Sequence, residues 1–346
     1  MSEAKVYSER LGPISDAQFE AVATRLGLGR FLSAEPITSG LFGQNVFMTT
    51  TEGAFVLRGA PHWVKDVGET EYRREDRWQF TKEEYFAEQL HLHTDAPVPW
   101  PMLHDESSDI FGWPYLVMPR MPGRCFSERD ILKSLDFAER HAVAVALGEM
   151  LAEMQTLTSP IAGDFDSRTI KLAPYPGGSV QHVVDETMAQ LSMANAHGIV
   201  TDQDRALIDS AAIAARASQT ELVNTYVHCD YKLNNLTVAK KQGRWRVSGL
   251  FDLHEARFGD GTLDIVRQAC SYLDTEPGLA PAFIDAYRAN IDGGRIVPER
   301  MILHVLNDRM KFWGYFARPE HRAKWTLGTT FGAWSGRYVN ALIKLL

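Results

Sequence analysis

The sequence predicts an α+β protein in two lobes: a small amino-terminal lobe built on an antiparallel sheet with one key helix, and a larger, mainly helical lobe. Three observations predict it. Paired β-rich runs fall early in the chain, apolar stripes at helical spacing dominate from residue 139 onward, and Pro119-Arg120-Met121-Pro122-Gly123 punctuates the stretch between them. The lobes are expected at 1–118 and 119–346, with a hinge at the junction. A chain of 346 residues is long enough for two such units sharing an interface.

The elements follow in order. Helical spacing of Phe19, Val22, Ala23 and Leu26 predicts an opening helix, which Gly27 and Gly29 break. Residues 45–50 and 54–57 are β-rich, and Glu52-Gly53 between them predicts a hairpin, preceded by a glycine-containing loop at 39–45. Residues 61–79 are charge-dense and are expected as an exposed insertion. Helical spacing resumes at Lys82, with Phe86, Ala87 and Leu90 on one face, and stops before Pro97. Residues 113–118 form an apolar strand ahead of the junction. Beyond it, helices are expected over 139–157, 180–196 and 202–221 and again after Asp264, interrupted by two β runs at 236–239 and 245–251. Trp313, Trp325 and Trp334 belong to no recognisable motif.

Composition narrows the function. Hydrophobic residues make up 45% and charged residues 23%, the profile of a globular protein. A net charge of -8 argues against nucleic-acid binding, which needs a clustered surplus of Lys and Arg. The first twelve residues lack an apolar leader core, and no segment approaches the roughly 18 apolar residues of a membrane span. A cytoplasmic protein with no membrane partner is therefore expected. Cys125, Cys229 and Cys270 are too far apart to form a CxxC pair and read as reduced, packed thiols. Oligomeric state, monomer or homodimer, is left open.

Two segments carry chemistry. The first runs from His228 to Asn235, where Asp230 and Asn235 stand five residues apart on one loop. Moving a phosphoryl group onto a hydroxyl needs a carboxylate to orient and finally accept the hydroxyl proton, and an oxygen ligand for a metal bridging the phosphates. The pattern His-x-Asp-x4-Asn alone would arise by chance in roughly one or two of every hundred chains this long, given ordinary residue frequencies. The second segment is an apolar strand running into Asp252, then Gly259, Asp260 and Asp264. A carboxylate at the end of a buried strand needs a compensating cation or metal. The two segments in this order multiply modest probabilities.

Together they resemble the aminoglycoside phosphotransferase family, a small-molecule branch of the protein-kinase-like fold. Its first loop reads His-Gly-Asp-x4-Asn, and its second reads Asp-Trp-Glu-x-Ala-x2-Gly-Asp-Pro-x2-Asp. The resemblance implies Asp230 as catalytic base, Asn235 and Asp252 as ligands of Mg²⁺, and Lys232 as a γ-phosphate contact. His228 and Asp264 would support the loop. The resemblance extends to the amino half, where Arg58 matches the basic residue that contacts the phosphates of ATP or GTP. Glu83 matches its helical partner, Ser39 and Gly40 would cover the phosphates, and backbone groups of Val117 and Met118 would meet the base. Departures are Cys229 for glycine, Arg58 for lysine, and Leu253-His254 for Trp-Glu. Arg58 keeps the charge and can bind phosphate bidentately.

Simpler readings stand beside these. His228 is read as a packing residue, Asp260 as a helix N-cap, and residues 39–43 equally as a plain turn. The acceptor implied is a small molecule with a hydroxyl, of the aminoglycoside or other antibiotic type. Alternatives are a metabolic kinase and a catalytically silent kinase-fold binding module. For the former, a hydroxyacyl-CoA kinase is suggested by likeness to the phosphotransferase-like domains fused to some acyl-CoA dehydrogenases. Such an acceptor would call on late cations such as Arg309, Lys311, Arg318, Arg322 and Lys324.

Overall fold

The computed structural model describes residues 4–8, 11–37, 45–59, 72–218, 222–291, 296–319 and 322–346. The chain opens on a two-stranded ribbon, β1 (Lys5–Ser8) and β2 (Gly12–Ile14), and on helix α1 (Asp16–Arg25). Ser15 and Gln18 form a capping box that satisfies the first free N–H groups of α1. Then come β3 (Phe31–Pro36), β4 (Asn45–Thr50), β5 (Gly53–Gly59), α2 (Tyr72–His93), β6 (Leu103–Asp105) and β7 (Tyr115–Pro119). The five strands β3 to β7 make one antiparallel sheet in the order β3-β4-β5-β7-β6. Thr50 lies opposite Gly53, so the hairpin turns at Thr51-Glu52, one residue earlier than the sequence suggested.

Strand alternation divides the sheet's side chains between two faces. Leu57 and Val117 pack with Val46, Met48 and, from α1, Phe19, whereas Val56, Leu116 and Met118 pack with Phe86, Ala87 and Leu90 of α2. Burying a side chain such as Phe86 contributes about 1.5–3 kcal/mol. Arg58 follows Val56 by two positions and so shares the α2 face. This period of two is what carries a charged group towards the helix.

Helix α2 begins at Tyr72, well ahead of Lys82. The charge density of 72–79 conceals a helix because Glu, Arg and Gln are good helix formers. Residues 60–71 of the expected insertion lie outside the described residues, as do Ser39 and Gly40.

The second half contains α3 (Glu128–Ser134), α4 (Phe137–Met154), α5 (Gly178–Ala196), α6 (Asp202–Ala217), α7 (Thr262–Thr275), α8 (Leu279–Ala289), α9 (Pro298–Phe316) and α10 (Phe331–Ile343). Among them run β8 (Arg124–Cys125), β9 (Gly163–Asp166), β10 (Lys171–Pro174), β11 (Thr225–Val227), β12 (Leu236–Lys241), β13 (Arg244–Leu250) and β14 (Arg257–Gly259). They form two small sheets, β13-β12-β8 and β10-β9-β14-β11. The sequence showed only the β12–β13 hairpin. The other five strands are two to four residues long, too short for alternation to register. At the junction, Gly123 has φ +98°, and a Cβ there would lie 2.4 Å from Ser248 Oγ and 2.7 Å from the Val238 carbonyl oxygen. Only glycine lets the chain press so closely on that hairpin.

The unassigned tryptophans are packing residues. Trp325 and Trp334 stack with centroids 4.7 Å apart, and the Trp313 indole donates to the Ile199 carbonyl at 2.6 Å. Among the described residues no helix is long and apolar enough to cross a membrane.

Candidate active site

Strand β11 pairs antiparallel with β14 and delivers His228, Cys229 and Asp230 into a short loop. Asp264, in the first turn of α7 and fully buried, fixes that loop. Its two carboxylate oxygens accept the backbone N–H groups of His228 at 2.7 Å and Cys229 at 2.9 Å. Burial pushes the Asp264 carboxyl up to about 6, against the pull of His228 and the two backbone donors. His228 Nε2 meets the Phe251 carbonyl oxygen at 2.8 Å, and its Nδ1 accepts the Asp230 N–H at 3.4 Å. With Nδ1 accepting, Nε2 is the nitrogen that donates to that carbonyl. His228 thereby ties the loop to the end of β13. The Phe251 N–H completes the stitch by donating to the Asn235 carbonyl at 3.0 Å.

Asp230 sits among donors. Lys232 Nζ reaches its Oδ2 at 2.7 Å, Asn235 Nδ2 reaches the same oxygen at 2.9 Å, and Arg267 reaches Oδ1 through Nε at 2.9 Å and a terminal nitrogen at 2.7 Å. Burial alone would raise the Asp230 pKa, but Arg267 and Lys232 outweigh it and hold the carboxyl below the ordinary range. The Asn235 amide nitrogen is committed to Asp230, so its carbonyl oxygen is the atom able to ligate a cation.

Beyond Phe251 the backbone turns sharply at Asp252, which has φ +67°. Its Oδ1 lies 2.7 Å from His254 Nδ1 and 3.5 Å from an Arg58 nitrogen. Burial would raise the Asp252 pKa, yet His254 and Arg58 hold it well below the usual carboxylate range. The same contact raises His254, overcoming the downward push of burial. Arg58 also donates to Glu83 Oε2 at 2.8 Å. Glu83 is 1% exposed, and burial raises its pKa against the pull of Arg58. Its Oε1 is buried with no hydrogen-bond partner among the described residues. Arg58, Glu83 and Asp252 thus converge from the sheet, α2 and the loop after β13, and Asn235 is tied to the same loop through Phe251. Val117 and Met118 lie on β7, where β6 pairs as far as Val117 and no described strand pairs with Met118 on that side.

A model described as the phosphotransferase enzyme family (APH) matches residues 33–298. The chain belongs to that family. Among solved structures, a Ralstonia eutropha protein assigned to the aminoglycoside phosphotransferases is similar at TM-score 0.63 and 17% identity, covering 96% of this chain and 98% of that one. A macrolide 2′-phosphotransferase from Brachybacterium faecium matches at 0.59 and 16%, covering 94% and 97%. An aminoglycoside phosphotransferase in complex with GDP and kanamycin matches at 0.55 and 14%, covering 96% and 98%. Identities this low establish a shared fold and nothing finer. A sequence comparison with curated proteins finds no match.

The phosphotransferase has features that its motifs did not reveal. Arg267 is the clearest, three residues after Asp264 on α7 and so on a neighbouring helical position. Counting one turn onward from Asp264 was the signal that could have found it. Its remaining terminal nitrogen meets Asp308 Oδ1 at 3.2 Å, and Asp308 in turn holds Arg309. Arg309 is 3% exposed, also meets Asp274 at 3.2 Å, and lies over the Phe312 and Tyr338 rings. It is therefore a structural cation and not the free phosphate contact the sequence suggested. Asp260 differs too: the cap residue of α7 is Gly261, and Asp260 accepts the Thr262 N–H while pairing with buried Arg300 and His304. Cys229 stands at φ +69°, a conformation suited to the glycine of the family pattern, with its thiol pushed up to about 12 by burial. Such a thiol is no nucleophile.

Proposed function

We propose that this phosphotransferase moves the γ-phosphoryl group of ATP or GTP onto a hydroxyl of a small molecule, with Asp230 as base. The observation that carries the reading is the stitch through Phe251, which holds Asp230 and Asn235 on one loop against Asp252 on the next. Asn235 Oδ1 and the Asp252 carboxylate are hard oxygen donors suited to Mg²⁺, and the orphaned Glu83 Oε1 beside them marks a place where positive charge is wanted. When bound, that cation would neutralise the phosphates and polarise the transferring group.

The chain's own residues do the rest. Arg58, held by Glu83, would contact the phosphates. Asp230 now receives four donor contacts, two on each oxygen, which fills its acceptor capacity. Lys232, on the most flexible stem, is the donor that must leave Oδ2 for the γ-phosphate so that the acceptor hydroxyl can take its place. Asp230 then orients that hydroxyl and receives its proton. Arg267 stays on Oδ1 and keeps the carboxylate in position.

For the acceptor, the sequence favours an aminoglycoside or other antibiotic, and structural neighbours that bind kanamycin and other aminoglycosides support that class. A second reading, an acceptor carrying its own negative charge such as a hydroxyacyl-CoA, has one observation in its favour. Asp308 and Asp274, the carboxylates next along from Asp230, are already matched by Arg267, Arg309 and Arg337. An ammonium group brought there would find its counter-charges taken. Phosphate transfer measured against aminoglycosides, macrolides, hydroxyacyl-CoAs and amino alcohols, with Asp230→Ala as control, tests both. No transfer to any acceptor, together with nucleotide binding, would support the silent binding module instead.

A further inference from the structure

The loop that carries Asp252 departs from the family pattern at residue 254, where histidine stands in place of glutamate. Asp252, His254 and Glu83 each offer a donor atom, and these atoms all lie within 4.8 Å of one another. Donors bound cis to an octahedral ion at about 2.1 Å lie about 3 Å apart, and trans donors about 4.2 Å apart. Asp252 Oδ1 and His254 Nδ1 are joined by a hydrogen bond at 2.7 Å, so an ion held by both would take the place of the proton between them. Independently, Glu83 Oε1 is buried with no partner among the described residues, although Arg58 satisfies Oε2. A buried carboxylate oxygen is satisfied by a proton, a water or a cation.

We propose that Asp252, His254 and Glu83 form a mixed nitrogen–oxygen cation site that takes a first-row transition ion, Mn²⁺ or Co²⁺, in preference to Mg²⁺. The proposal rests on reading Asp252 as the cation ligand of a nucleotide-dependent transferase, and deepens that reading by naming the ion. Mg²⁺ is hard, favours oxygen donors and dehydrates reluctantly, so a donor set that includes an imidazole holds it weakly. Imidazole is a good ligand for the later ions, whose affinity for nitrogen-containing sites rises across the row. The imidazole thus makes the site selective.

The test uses the full chain, stripped of metal with a chelator and free of nucleotide. Mn²⁺ is titrated while its free electron-paramagnetic-resonance signal is followed, with Mg²⁺ as competitor, and the bound ion is then examined by spin echo for modulation from a ligating ¹⁴N. The wild type is expected to bind Mn²⁺ with nitrogen modulation. His254→Gln should lose that modulation and about tenfold or more in Mn²⁺ affinity, the scale on which even outer partners of a metal act. His254→Glu should bind Mn²⁺ without modulation and narrow the preference over Mg²⁺, with melting temperatures confirming that both variants fold. Absent Mn²⁺ binding, bound Mn²⁺ without nitrogen modulation, or an unchanged preference in His254→Gln would overturn the proposal. Absence of phosphotransfer with every cation and acceptor would instead sink the transferase reading, and the nitrogen signal would still decide the ligand.

Discussion

The two loops of the site each place a non-glycine residue in the left-handed region, Cys229 at φ +69° and Asp252 at φ +67°, and they do so for opposite reasons. Asp252 contributes the very carboxylate that meets Arg58 and His254, so its side chain cannot be given up. Cys229 contributes a buried thiol that packs with Val227 and Leu263 and meets no polar side chain of the site. Aspartate also tolerates this conformation better than most residues. Backbone strain therefore accompanies chemistry in one loop and only packing in the other. The loops differ in charge balance as well. Around Asp230 the carboxylate oxygens are saturated with donors, whereas beside Asp252 an oxygen of Glu83 is left bare. The donors around Asp230 come from the protein itself, whereas Glu83 Oε1 has no partner among the described residues.

The largest effect should come from the saturated side. Asp230→Ala should lower kcat by about 10²–10⁴-fold, because orienting and deprotonating the hydroxyl acts in the transition state. Nucleotide affinity should stay nearly unchanged. Turnover within about tenfold of wild type, only ~1.4 kcal/mol of barrier, would remove Asp230 from the chemistry.

Next comes the Asp252 side. Asp252→Ala should weaken metal-dependent nucleotide binding by about 100-fold or more in calorimetry, since removing a direct ligand costs at least as much as removing an outer partner. Unchanged affinity would make Asp252 structural and erase the contrast between the loops. Arg267→Met should be milder, costing about 1–3 kcal/mol of stability for the lost charged hydrogen bonds. Asp308 would keep Arg309 as a partner and so would not be stranded. Arg267→Lys, which keeps the charge but loses the fork, should recover less than half of that lost stability. Full recovery would show that charge alone is needed at Asp230.

How legible this was in the sequence depended on spacing. The pairing of the His228–Asn235 loop with Asp252 was readable because the proposed phosphoryl transfer fixes residue types at short intervals, and the stitch through Phe251 does bring the two loops together. Glu83 was found by the helical period of Phe86, Ala87 and Leu90, and it does meet Arg58. Arg267 was overlooked although it stands one turn beyond Asp264, and Asp308 was not found, since a contact between residues 41 positions apart on two helices leaves no local pattern. The short strands β9, β10, β11 and β14 were invisible for a related reason, as their partners are supplied by the fold and not by neighbouring residues. The early turns of α2 were hidden by charge, and Arg309 was misread because exposure was inferred from charge alone.

The smallest expected effect returns to Cys229. Cys229→Ala keeps the left-handed backbone and its cost while deleting the sulfur from its contacts, so it should destabilise by about 1 kcal/mol. Cys229→Gly deletes slightly more packing and frees the unfolded chain, but it relieves the backbone, which for an L-residue costs roughly 1–2 kcal/mol in this region. The terms for glycine nearly cancel, and its stability should match wild type within about 1 kcal/mol and equal or exceed that of the alanine variant. In calorimetric melting the two variants should differ by roughly 1–2 °C for a chain of this size, with glycine the higher. Both should keep kcat, since a thiol pushed up to about 12 takes no part in proton or phosphoryl transfer at neutral pH. A glycine variant clearly less stable than alanine would mean that the Cys229 side chain holds the loop in its turn. The strain at this position would then be as necessary as the strain at Asp252.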